Sequence, residues 1–440
     1  MTGISKVISS AESEAVPSPL EEAELVRKAK ALLTKTKRAA RRFPQTKGVI
    51  LGGSFAKGTW LRDHVDLDIF VRFDPATAEA EFERVGLEVG RIATRGFPRG
   101  KKYAQHPYTE ARVDGVRVNI VPCFDVERGE WKSAADRSPF HVKLVEKLPP
   151  ESKKQVRLLK LFMHGVGVYG AEIQTQGFSG YVAEVLTIKH GGFESVLRWF
   201  ASYGPVDEAR PFSLPDPVDE GRDLGIAVSG QSLGRMVLAS REFLRRPSLT
   251  FFREMSGKAH PSLRHEVLAV VFTHKRLSED TLWGELRRTT RHIVRHLEVN
   301  GFLQARYMAA SNNEDISAIL LIPEVTRLPA SEHRLGPTVD RRKDVEAFIR
   351  SNAKDSQLVW VDDDARVRLL RPRKYRELTD LLAEVIRGKA GPIGGSKELE
   401  RAMKKNARIL KGGALARAAS SAEWLRDGIR EITTDAIGTR

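Results

Sequence analysis

Two aspartates stand two positions apart inside the apolar run V-D-L-D-I-F-V, residues 65–71. On a strand successive side chains alternate faces, so Asp66 and Asp68 project to one side while Val65, Leu67, Ile69 and Val71 project to the other. Two carboxylates about 7 Å apart on one face repel unless a cation lies between them, and an all-oxygen donor pair suits Mg²⁺. Alone, such a pair reads more readily as a solvated or salt-bridged sheet face. Upstream, however, lies G-G-S-F-A-K, residues 52–57, with Ser54 at spacings of 12 and 14 from the two acids. Gly52 and Gly53 let the backbone approach a ligand closely, and the next amides and the Ser54 hydroxyl can hold phosphate oxygens at a helix start. Lys57 adds a positive charge one helical turn on. A phosphate cradle facing a metal-binding carboxylate pair is the equipment of nucleotidyl transfer, in which metal aligns the attacking hydroxyl and stabilises the leaving pyrophosphate.

The surrounding elements must hold these groups together. Residues 1–18 are small and polar and read as a flexible tail. From Glu21 to Phe43 the positions Leu25, Ala29, Leu32, Thr36, Ala39 and Phe43 fall near helical spacing, and Pro44 stops the helix. K-G-V-I-L-G-G-S then reads as a buried strand entering a Gly-rich turn, and H-V-D-L-D-I-F-V-R-F as a second strand. A helix follows from Ala76 to Gly90, then a hairpin, A-R-V-D-G-V-R-V-N-I-V, turning at Asp114-Gly115. Residues 19–137 thus predict a small mixed sheet backed by helices. Residues 138–255 carry mostly helical spacing and predict an α-rich central domain. Residues 256–440 alternate strand-like runs (H-E-V-L-A-V-V-F, D-I-S-A-I-L-L-I-P, S-Q-L-V-W-V, A-R-V-R-L-L) with helical ones, and residues 397–432 read as two helices separated by glycines. The fold class is α+β and multi-domain.

Composition bounds the rest. With 440 residues and 41% apolar content, the chain has material for more than one core, at about 100–200 residues per domain. No apolar run approaches the roughly 18–20 residues of a membrane span, and M-T-G-I-S-K has no hydrophobic signal core, so the expectation is a soluble cytoplasmic protein with no membrane partner. One cysteine, Cys123, excludes an intrachain disulfide and a thiolate zinc site. The net charge is +16, which favours a polyanionic partner. From Arg366 onward 18 Lys and Arg face 9 Asp and Glu, an excess of +9, so over half of the net charge lies in the last 75 residues.

The run G-S-F-A-K-G-T-W-L-R-D-H-V-D-L-D-I-F resembles the signature of the nucleotidyltransferase superfamily, specifically the archaeal-type (class I) CCA-adding enzymes. Similar landmarks continue in order: K-Y-A-Q-H-P-Y (102–108), V-N-I-V-P-C-F (118–124), S-A-A-D-R-S-P-F-H (133–141), V-R-L-L-K (156–160), V-Y-G-A-E (168–172), G-F-S-G-Y (177–181), D-P-V-D-E-G-R (216–222) and P-S-L-T-F-F (247–252). The resemblance implies a polymerase β-like head, a helical centre and an α+β body and tail. It implies template-independent addition of C, C and A to the 3′ end of tRNA from CTP and ATP. Gly53, Ser54 and Lys57 would hold the triphosphate, and Asp66 and Asp68 would bind Mg²⁺. His141, Lys160 and Tyr169 would contact triphosphate and sugar, and Arg222 would read the base. The C-terminal region would clamp the acceptor and TΨC arms of tRNA, and the enzyme would be a homodimer.

One position departs. The family's third carboxylate belongs on the strand after the hairpin turn, where this chain has Asn119. An amide can offer an oxygen to Mg²⁺ but brings no charge and accepts a proton poorly. Asp125 and Asp114 lie roughly 20 and 17 Å away along extended chain, and neither reaches. Three outcomes stay open: Asn119 serves as a neutral catalytic ligand beside Asp66 and Asp68, a more distant acid such as Asp136 folds in, or catalysis is impaired. The alternative functions are a poly(A) polymerase-like transferase and a catalytically weak tRNA-binding homologue.

Overall fold

The computed structural model describes residues 3–62, 64–103, 105–207, 209–253, 262–263 and 266–434. The chain divides into two compact units, the first running to residue 257 and the second from 258 to 434. Ile4, Val7, Ile8, Ala11 and Ala15 form one stripe at helical spacing, and the first unit opens with helix α1 (Gly3–Ala15). That stripe packs on the helical core, with Ala11 and Ala15 buried. Within the segment expected to be a flexible tail, residues 3–15 are therefore an anchored helix, because their few apolar residues share one face while the polar ones point outward.

Helix α2 (Pro19–Ala40) begins at a capping box. Ser18 N donates to Glu21 Oε2 at 2.7 Å, and Glu21 N donates to Ser18 Oγ at 3.3 Å. It ends at Ala40 rather than Phe43, since the residue before Pro44 is pushed out of helical backbone. Strands β1 (Thr46–Leu51), β2 (Asp66–Phe73), β3 (Arg99–Tyr103), β4 (Pro107–Val113) and β5 (Val116–Phe124) form one sheet in the order β1-β2-β5-β4-β3. The β2–β5 pair is parallel and the others antiparallel. Leu67, Ile69, Val71 and Phe73 are buried on the face covered by α2 and by α4 (Glu79–Ala93), against Leu25, Leu32, Phe82 and Val85. Each such burial stabilises by about 1.5–3 kcal/mol. Strand alternation leaves Asp66 and Asp68 on the opposite face. At the β4–β5 turn Asp114 and Gly115 both have positive φ, 47° and 84°, as a two-residue hairpin turn requires.

The rest of the first unit is helical: α5 (Ser138–Val145), α6 (Pro150–Val166), α7 (Gly180–His190), α8 (Phe193–Ala201) and α9 (Gly230–Arg245). They enclose a separate core containing Phe162, Phe193, Phe243 and Phe252. A five-residue helix, α3 (Gly53–Lys57), joins β1 to the segment before β2.

In the second unit, β6 (Leu268–Thr273), β7 (Gln304–Ser311), β8 (Ile316–Pro323) and β12 (Arg408–Lys411) form a sheet in the order β12-β6-β8-β7, and β9 (Ser331–Thr338), β10 (Leu358–Val361) and β11 (Arg366–Pro372) form a smaller one. Helices α10 (Glu279–Val299), α11 (Arg342–Asn352) and α12 (Leu378–Ile386) follow β6, β9 and β11 along the chain. The residues 397–432 read as two helices hold three and a strand: α13 (Lys397–Asn406), β12, α14 (Gly412–Ser421) and α15 (Glu423–Thr433). R-I-L-K becomes a strand because β6 offers it an open edge. The break at Ala422 follows from packing, since Leu415 of α14 and Leu425, Ile429 and Ile432 of α15 bury in one core with residues of β6, β7 and β8. Among the described residues no helix is long and apolar enough to cross a membrane.

Candidate active site

The site is built on the open face of the first sheet. Parallel pairing sets Asp66 of β2 opposite Arg117 of β5, and Asp68 opposite Asn119. Asp66 is held by Arg117 in a two-pronged ion pair, with Arg117 Nε donating to Oδ1 at 2.7 Å and Nη2 to Oδ2 at 2.6 Å. Asp68 accepts from Asn119 Nδ2 at 2.9 Å on Oδ1. Burial pushes the Asp68 carboxyl up, the Asn119 hydrogen bond opposes that shift, and the neighbouring Asp66 charge adds to it. The other end of the amide, Asn119 Oδ1, is buried and finds no hydrogen-bond partner among the described residues. On its far side Asn119 faces Glu110 of β4. A desolvated carboxylate, a second carboxylate beside it and an unused amide oxygen fit a hard divalent cation that takes oxygen ligands.

The glycine turn closes on this face. Gly52 N donates to Asp68 O at 2.8 Å. Gly53 has φ 61°, and a Cβ there would stand 1.9 Å from Asp68 Oδ2. Only glycine lets the turn lie this close to the carboxylate. Ser54 follows, half-buried. Lys57 is buried and donates to Glu184 Oε2 of α7 at 2.8 Å. The other Glu184 oxygen, Oε1, accepts from Lys160 Nζ of α6 at 2.8 Å and from Thr59 Oγ1 at 2.6 Å. Lys160 also donates to Thr59 O and Oγ1, at 3.2 and 3.0 Å, so its three donors are all taken. In this arrangement Lys160 is a buried support beneath Lys57. Burial drives the Glu184 carboxyl up, but the two ammonium charges and their hydrogen bonds outweigh it and hold the group at about 2.

A second buried acid organises the remaining residues. Asp216 Oδ2 accepts from Arg222 Nη1 and meets His141 Nε2, both at 3.3 Å, while Oδ1 accepts from Tyr181 Oη at 2.9 Å. Burial raises the Asp216 carboxyl, and His141, the Val218 amide and the Tyr181 hydroxyl bring it down to about 2. His141 stacks on Tyr181 with ring centroids 3.8 Å apart, and Lys57 Nζ sits 4.9 Å from the same ring. Tyr169 stacks on His164 at 4.1 Å, which stacks on His64 at 4.6 Å. Burial raises the Tyr169 hydroxyl and lowers His141. Gly180 ties Tyr169 to Lys160, since a Cβ at Gly180 would lie 2.7 Å from Tyr169 Oη and 3.5 Å from Lys160 Nζ.

The structure thus links Gly53, Asp68 and Asn119 directly. It joins Lys57, Lys160 and Tyr169 through Glu184 and Gly180, and His141 and Arg222 through Asp216. Asp136 does not enter the metal site. It is fully buried, and four donors fill its oxygens at 2.6–2.9 Å: the amides of Phe124, Lys132 and Ser133 and the Ser133 hydroxyl. Asp125 pairs with Arg72 at 3.0 Å. Sequence reasoning missed Arg117, Glu184 and Asp216, because their partners lie in other elements. Glu110 was within reach of it: Asn119 stands four residues after Gly115 and Glu110 four before Asp114, so a two-residue turn must pair them. Away from the glycine turn, Glu79, Glu83 and His106 bring three possible ligand atoms within 4.8 Å, with His106 Nδ1 3.1 Å from Glu83 Oε1.

Residues 33–145 match the model of the nucleotidyltransferase domain, 154–253 that of the second domain of tRNA nucleotidyltransferase, and 265–412 that of the C-terminal domain of CCA-adding enzyme. The CCA-adding enzyme of Pyrobaculum islandicum is 34% identical over 399 residues, covering 87% of this chain and 93% of its own. That of Methanopyrus kandleri is 32% identical over 490 aligned positions, covering 99% and 100%. That of Thermoplasma volcanium is 47% identical over 213 residues, covering 46% and 48%.

Proposed function

The chain belongs to the CCA-adding enzymes, and from that premise we propose how its own residues carry the reaction. The enzyme transfers nucleotidyl groups from CTP and ATP to the 3′ end of tRNA, through in-line attack of the terminal hydroxyl on the α-phosphate and release of pyrophosphate. The Gly53–Ser54 turn and Lys57 hold the triphosphate. Lys160, locked by Glu184, keeps Lys57 in register, and His141 and Arg222, fixed by Asp216, take the sugar and base end together with Tyr169, which is stacked on His164. Asp66 and Asp68 would hold Mg²⁺ with Asn119 Oδ1 as a neutral ligand. Bound there, the ion supplies Lewis-acid activation of the hydroxyl and charge for the leaving pyrophosphate. The observation that carries this reading is the approach of the Gly53 turn to Asp68, which sets a phosphate cradle against the carboxylate pair. The basic C-terminal region would hold the acceptor and TΨC arms by their shape and phosphates, and the enzyme would work as a homodimer.

The test is incorporation of labelled CTP, then ATP, into tRNA lacking its 3′ end, with magnesium varied and UTP and GTP as controls. Wild type is expected to add C, C and A, and Asp68→Ala to add none. A wild type as inactive as Asp68→Ala, rescued by Asn119→Asp, would contradict the reading and leave a tRNA-binding homologue. Sedimentation of the full chain reads the oligomeric state.

A further inference from the structure

We propose that Glu110 supplies the third carboxylate of the metal site, from the strand next to the one on which Asn119 stands. The inference rests on the nucleotidyl-transfer reading above and concerns which groups complete that site. Asp68, Asn119 and Glu110 form one row across β2, β5 and β4, in register. Cross-strand partners project to the same face of a sheet, so all three side chains stand on the face that carries the glycine turn. At about 4.8 Å between strands, the Cα atoms of Asp68 and Glu110 are roughly 10 Å apart. A glutamate carries its carboxylate one methylene further than an aspartate, which shortens that gap toward the span of one oxygen-ligated cation.

Three further observations agree. Asn119 stands in the row between the two acids, and its buried Oδ1 has no hydrogen-bond partner among the described residues. No hydrogen bond or ion pair ties down the Glu110 carboxylate among the described residues, and its charge acts on Arg117 and on Tyr108, which also feels Asp68. The next position in the row is Gly100 of β3, where a Cβ would meet nothing within 4 Å, so Glu110 has room to swing. Of the other acids weighed for this role, Asp114 sits out of reach on the hairpin turn, Asp125 is taken by Arg72 and Asp136 by its four donors. Arg117 explains why the extra carboxylate is needed. Its ion pair with Asp66 cancels one of the two negative charges on β2, and Glu110 restores it.

The experiment is a Mn²⁺ titration of the full-length protein followed by electron paramagnetic resonance, with a non-hydrolysable CTP analogue present. Glu110→Gln is expected to weaken Mn²⁺ binding by about 10–100-fold. The double variant Glu110→Gln/Asn119→Asp is expected to recover most of it, because the charge returns one strand away. Unchanged Mn²⁺ binding in Glu110→Gln, with its thermal transition at the wild-type position, would overturn the proposal. So would a double variant as weak as the single one. CTP incorporation by the wild type is scored separately: an active wild type with a silent Glu110→Gln sinks this inference alone, whereas a wild type that binds Mn²⁺ through Glu110 but adds no nucleotide sinks the functional reading.

Discussion

Glu184 illustrates how single buried charges set the chemistry of this protein. It is almost fully buried, and it balances two lysines that would otherwise repel each other in a medium with little water. Glu184→Gln keeps the shape but leaves Lys160 buried without a counter-charge. The expected loss is about 3–5 kcal/mol of folding stability, measured by urea denaturation at neutral pH. The pH dependence has a definite sign. The carboxyl sits at about 2 in the folded protein against an ordinary 4.5, so its contribution is complete above 4.5 and is lost as pH falls toward 2. The variant should lack that part of the acid transition; an identical acid limb in both proteins would show that Glu184 is not ionised in the fold.

At the scale of elements, the open face of the sheet can work only because the other face is closed tightly by α4. Gly90 is the point of closest approach, where a Cβ would stand 2.1 Å from Thr109 Oγ1 of β4. Gly90→Ala gains helix propensity but must push α4 off the strand that carries Glu110. A net destabilisation of about 1–3 kcal/mol is expected, relieved in part by Thr109→Ala in a double-mutant cycle. Additive effects in that cycle would mean that the helix has slack. The β4–β5 hairpin obeys a similar constraint: the two positive-φ residues at its turn fix which β4 residue meets Asn119.

At the scale of the whole molecule, the +16 charge predicts how the protein meets its nucleic acid. Affinity for tRNA should fall at least about tenfold between about 50 and 200 mM salt, in filter-binding measurements, as counterions are no longer released. Replacing Lys404, Lys405 and Arg408 by glutamate should flatten that slope with little change in stability, since all three are exposed. A slope unchanged by the triple substitution would put the nucleic-acid contact elsewhere.

Much of this was open to reading from the chain alone. The period-2 pattern of V-D-L-D-I-F-V separated Asp66 and Asp68 from the apolar core, and the Asp114-Gly115 turn announced the hairpin, because both signals are local backbone geometry. The ordered motifs from Gly52 to Phe252 named the family. What the sequence misread were segments whose state depends on a distant partner: residues 3–15, helical because Ala11 finds a core, and R-I-L-K, a strand because β6 has an open edge. The counter-ions were hidden for the same reason. Residue types and short spacings are written along the chain, so the sequence alone determined the reaction class and the acids on β2. Arg117 on Asp66, Glu184 under two lysines, Asp216 under His141 and Arg222, and Glu110 beside Asn119 come from packing and register. The tertiary structure decided them, because a charge taken out of water is set by whichever group the fold brings within hydrogen-bonding distance.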